Sequence, residues 1–150
     1  VLMMFTLPGT VNVYYGDEVN IDGKIDAVEF ARYPMDWQWK EKEKSREWFA
    51  YYQKLCRIKT TSEALADGGF QILFAEDKAI AYARFTEEEM LVTICSMEEK
   101  EMLVTLPVFD YGFEGDAVEE LLGREISWTK MRRGIEVSVS GKDSLLLSVR

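Results

Sequence analysis

Two adjacent carboxylates, Asp17 and Glu18, close the apolar stretch Val11-Asn12-Val13-Tyr14-Tyr15-Gly16. Paired carboxyl groups do acid–base or nucleophilic work when both reach one bond. Successive side chains on a strand point to opposite faces, so a strand running through Asp17 and Glu18 keeps them from sharing a bond. They are expected to accept hydrogen bonds at the strand's end and to support the shape of a site. A second group follows in a stretch containing Gly23 and Pro34: Asp22, Asp26, Glu29, Arg32, Tyr33, Trp37 and Trp39. Its three acids are oxygen donors without the spacing of a calcium loop, so no metal is expected. Trp37 either faces a cleft or anchors the loop on the next helix, where Trp48 and Phe49 sit.

The composition excludes other chemistries. The 150 residues contain no histidine, which removes a Ser–His–Asp triad, a Cys–His pair and the usual zinc sets from within this chain. Cys56 and Cys95 lack CxxC spacing and read as small buried hydrophobes. No cofactor is expected. A net charge of −9 argues against nucleic acid and anionic lipid as partners. The basic cluster Lys130, Arg132 and Arg133 beside Gly134 reads as a solvated hairpin end. No stretch has the length of a membrane span or the layout of a signal peptide, so a cytoplasmic location is expected.

The elements that must position these residues come in three zones. VLMMFTL has helical texture, Pro8-Gly9 breaks it, and VNVYY reads as a strand covered on both faces, as parallel strands are. Residues 20–40 show no sustained period and read as a structured loop. Residues 41–60 are the clearest helix, with Trp48, Tyr52 (or Tyr51), Leu55 and Ile58 at three-to-four spacing. From Asp67-Gly68-Gly69 the period changes to two. FQILFAE, AIAYARF, MLVTICS, KEMLVTL, GIEVSVS and SLLLSVR then predict an antiparallel sandwich, with residues 110–128 as strand and loop.

TLPGTVNVYYGDEV resembles the eighth barrel strand of the α-amylase family of glycoside hydrolases, family thirteen. RYPMDW is similar to that family's RRPM-x-W loop, most like its neopullulanase and cyclomaltodextrinase branch. REWFAYYQKLCRIKTTSEALADGGF resembles the last barrel helix and the step into a C-terminal sandwich. The resemblance is specific over roughly residues 5–70 and rests on strand order beyond. Asp26-Ala27 stands where relatives have Asp-Pro, two positions out of register with Arg32, and Tyr33 replaces a second Arg.

The resemblance implies a mostly β fold with α: an antiparallel C-terminal β-sandwich, residues 67–150, preceded by the last strand, loop and helix of a TIM (β/α)8 barrel, residues 1–66. It also implies that Arg32, Asp26 (with Asp22 an equal candidate) and Tyr33 contact sugar, with Asp17, Glu18 and Trp37 in support. The family's reacting carboxylates lie on earlier barrel strands, so none is expected in this chain, which should be inactive alone. The implied partners are an α-glucan and the remainder of the barrel, or a second copy, met through residues 1–19. An apolar patch of Val1, Leu2, Met3, Met4 and Phe5 motivates that partner. The competing reading is a non-catalytic sandwich that binds carbohydrate or protein. A third is a complete protein of another role.

Overall fold

A computed structural model of the chain describes residues 1–21 and 34–150. These form two compact units, one of residues 1–9 and 58–150, the other of residues 10–57.

The first unit holds helices α1 (Leu2–Thr6) and α3 (Glu63–Asp67), and strands β1 (Gly69–Glu76), β2 (Ala79–Phe85), β3 (Met90–Ser96) and β4 (Met102–Leu106). Strands β5 (Val118–Glu120), β6 (Trp128–Met131), β7 (Gly134–Val139) and β8 (Ser144–Val149) complete it. They make a five-stranded sheet in the order β1-β2-β3-β8-β5 and a three-stranded sheet in the order β4-β7-β6. Every pairing is antiparallel. Alternate residues explain the packing. Ala81, Ala83, Met90, Val92, Ile94, Leu145 and Leu147 of the larger sheet share one buried core with Val104, Leu106, Ile135, Val137 and Val139 of the smaller.

The other face of the larger sheet is buried as well, at Tyr82, Leu91, Thr93 and Leu146. Helix α1 lies there, where the Thr6 hydroxyl shares a 2.6 Å hydrogen bond with the Tyr82 phenol. Strands β2 and β3 are therefore covered twice, which explains the nearly unbroken apolar run of Met90 to Cys95. Helix α3 is fixed through its start. The Ser62 hydroxyl accepts the Leu65 N–H at 3.0 Å, and the Glu89 carboxylate accepts from Ser62 Oγ at 2.9 Å and Ala64 N at 2.8 Å.

The β6–β7 hairpin turns on Gly134, at φ +150°, where a Cβ would lie 2.0 Å from the Leu106 carbonyl oxygen. Only glycine fits so close to another backbone. Arg132 and Arg133 at this turn are exposed and Lys130 pairs with Asp116, in keeping with a solvated hairpin end.

Several expectations need correction. VNVYY forms no strand: residues 10–14 lie outside any sheet, and Val13, Tyr14 and Tyr15 are exposed. A strand needs a neighbour to complete its ladder, and among the described residues it has none. Val1 to Phe5 is not one exposed patch. Leu2 and Phe5 are buried in the first unit, while Val1 and Met4 remain exposed. Cys56 is exposed rather than buried, because it lies beside the buried stripe of its helix and not on it. Cys95 is half-buried, and burial pushes its thiol pKa up. Strand β6 and helix α3 escape the periodicity, being too short to show one.

The second unit carries most of helix α2 (Glu43–Thr61) and two short 3-10 turns, Asp17–Val19 and Trp39–Glu41. Ser45, Tyr52 and Leu55 are buried along α2 with Trp48 half-buried between them, the stripe that the spacing predicts.

Candidate functional site

The site is built around the turn that follows Tyr15. Gly16 sits at φ +94°, a conformation that side-chain-bearing residues rarely adopt, and a Cβ there would meet Ile21 Cδ1 at 2.8 Å. Its N–H donates to Glu18 Oε2 at 2.7 Å, so the Glu18 carboxylate folds back on its own turn. Val19 is buried, and Asn20 takes a left-handed φ of 55°. Asp17 and Glu18 thus lie in a 3-10 turn and not on a continuing strand, which replaces the opposite-face argument. Through this one hydrogen bond the Glu18 carboxylate braces the turn.

Helix α2 holds this turn. Trp48 Nε1 donates to the Asp17 carbonyl oxygen at 2.7 Å. The rings of Trp48 and Tyr52 are 6.0 Å apart. Burial raises the Tyr52 pKa, and the nearby negative charges of Asp17 and Glu18 raise it further. Sequence reasoning placed Trp48 and Tyr52 in a helix core and missed this role, because spacing within a helix does not reveal an acceptor 31 positions away.

The loop residues fare unevenly. Asp26, Arg32 and Tyr33, with Asp22, lie outside the described residues. Trp37 is 81% exposed and does not anchor the loop on α2. Trp39 takes that place, its ring 4.6 Å from that of Phe49. Trp37 stands on a small braced turn. Asp36 accepts the Gln38 N–H at 3.1 Å and pairs with Lys42. That contact with the Lys42 ammonium holds the Asp36 pKa below the usual carboxylate value. In the first unit, Trp128 is partly buried and packs against the sandwich core. Among the described residues, no cluster of three or more histidine, cysteine or acidic residues could hold a metal ion. No described helix is long and apolar enough to cross a membrane.

No family model matches the sequence. A cyclomaltodextrinase from Bacillus sp is 35% identical over 101 residues, which is 66% of this chain and 17% of that protein. Neopullulanase 2 from Thermoactinomyces vulgaris is 31% identical over 114 residues, 75% of this chain and 19% of that protein. The chain is homologous to α-amylase-family glycoside hydrolases. A solved cyclomaltodextrinase, 26% identical, has the same fold over 99% of this chain and 24% of its own, with a TM-score of 0.80. The mostly antiparallel architecture with flanking helix is therefore one shared with this family. The chain spans less than a fifth of the length of the two curated relatives.

Proposed function

We propose that this chain acts as the C-terminal portion of an α-glucan-acting glycoside hydrolase or transglycosylase of the neopullulanase or cyclomaltodextrinase type. Residues 1–66 are then the last strand, loop and helix of a (β/α)8 barrel, and residues 67–150 its C-terminal sandwich. VNVYY becomes a strand once a neighbouring barrel strand completes its ladder. Arg32, Asp26 or Asp22, and Tyr33 contact sugar from the loop. The turn of Asp17 and Glu18, tied to α2 through Trp48, keeps the barrel mouth in shape, and Trp37 backs the same wall.

The reacting groups lie elsewhere in the polypeptide. Retaining hydrolysis needs two carboxyl groups about 5 Å apart across the bond, and on this reading the pair is carried by earlier barrel strands, with Glu18 bracing its own turn through the Gly16 N–H. The single observation that carries this reading is the match to cyclomaltodextrinase over 99% of the chain. It is reinforced by YYGDE, RYPMDW and the helix in the family's order.

The test compares two samples on maltooligosaccharides and cyclodextrin. The polypeptide with its upstream barrel should cleave one or both, and this chain alone should cleave neither. Activity of the isolated chain, or a barrel-containing polypeptide that leaves both substrates intact, overturns the proposal. Titrating the isolated chain with maltoheptaose tests the competing binding module. Saturable binding at the sandwich, seen by tryptophan fluorescence, would favour that module instead.

A further inference from the structure

We infer that Arg84 is a latch that fastens helix α1 to the sandwich. The residue is 3% exposed, and no carboxylate among the described residues forms an ion pair with it. Its guanidinium instead donates to three backbone carbonyls: Nε to Gly69 at 3.2 Å, Nη2 to Gly68 at 3.1 Å and Nη1 to Thr6 at 3.5 Å. Gly68 and Gly69 form the corner between α3 and β1, and Thr6 is the last residue of α1.

A buried cation is costly unless every donor is met, so an arginine in this place needs a reason. The geometry supplies one. Carbonyls at a helix end have no partner within the helix, and a planar fork of five N–H donors can reach divergent acceptors that a lysine cannot satisfy together. Helix α1 has five residues, too few to persist without tertiary support. Its other attachments among the described residues include the buried side chains of Leu2 and Phe5 and the Thr6–Tyr82 hydrogen bond. Arg84 adds a charged attachment and joins residues 78 positions apart. The latch decides whether the N-terminal helix stays with the sandwich, and the chain leaving that helix runs through Pro8-Gly9 to Asp17 and Glu18. This device does not depend on the activity proposed above.

Amide hydrogen exchange on the 150-residue chain tests the latch. Leu7 N–H donates to Met3 O and closes α1, whereas the amides of Val92 and Ile94 lie in the β3 ladders. In Arg84→Met, exchange at Leu7 should accelerate by about tenfold or more, the weight of lost charge-assisted hydrogen bonds. Val92 and Ile94 should change by no more than about twofold, since they open with the sandwich as a whole. Arg84→Lys should give an intermediate acceleration confined to Leu7. If Arg84→Met does not fold, Arg84→Lys carries the test alone. Unchanged exchange at Leu7, or equal acceleration at all three amides, overturns the latch.

Discussion

The two units differ in how they dispose of their apolar residues. The sandwich unit buries almost all of its strand residues that point inward, and the core formed by its two sheets is closed by side chains of its own. Helix α1 and helix α3 cover much of what remains on the far face. The unit of residues 10–57 carries the sequence motifs but leaves Val13, Tyr14, Tyr15 and Trp37 exposed. Its buried apolar residues among those described are Val19, Tyr52 and Leu55. A β-sandwich can satisfy its backbone and its core within about a hundred residues. A barrel strand cannot, because its hydrogen bonds belong to strands on either side. On the function proposed above, the sandwich is the part able to stand alone and the motif segment is the part that calls for neighbours.

The largest expected effect breaks the self-sufficient half. Leu147 lies in β8, an interior strand of the larger sheet paired with β3 and β5, and is fully buried. Leu147→Ala should cost about 2–5 kcal/mol, the transfer term plus the cavity left behind. Urea unfolding followed by far-ultraviolet circular dichroism would show a midpoint shift of that size. A cost below about 1 kcal/mol would mean that the site collapses or that the sandwich is not the stable element.

Much of this half was legible in the sequence. Six alternating runs each became a strand within a residue or two, because the period of two is imposed by a sheet with distinct faces. The α2 stripe was legible for the same reason at period 3.6. What the sequence hid was contact across distance. Trp48 reaching the Asp17 carbonyl, Glu89 capping α3 and Arg84 reaching Thr6 all depend on the tertiary fold. VNVYY misled because a strand-like composition states a preference, and no described strand pairs with it to realise that preference. Cys56 misled because one position around a helix separates a buried side chain from an exposed one.

A smaller effect uses pH to probe the same half. Tyr82 is 1% exposed, and burial raises its pKa above the ordinary phenol value of 10.0. A phenol whose folded pKa exceeds its unfolded one binds its proton more tightly in the native state. Its contribution to stability is therefore complete below pH 10.0 and is lost as pH rises through the raised folded value. The urea midpoint should fall in that alkaline window, and Tyr82→Phe should flatten the fall while removing the bond to Thr6. A midpoint that falls as steeply in Tyr82→Phe would assign the alkaline loss to other groups, Tyr52 first among them, since burial and two carboxylates raise its pKa as well.

The smallest expected effect lies in the other half and concerns Trp37. An exposed side chain with few contacts contributes little, so Trp37→Phe should leave stability within about 0.5 kcal/mol. Its spectroscopic weight is larger. The chain has four tryptophans, and Trp39, Trp48 and Trp128 are each partly buried, so Trp37 should supply the reddest and most quenchable emission. Trp37→Phe should remove most of the acrylamide-sensitive component. Retention of that component would show that Trp37 is covered in the isolated chain and would erase part of the contrast between the units. In the longer polypeptide proposed above, the same indole should become protected, because a wall of the barrel mouth has a face against which an aromatic ring can lie. Protection there and exposure here, read with one fluorophore, separate a segment that needs neighbours from one that is merely polar.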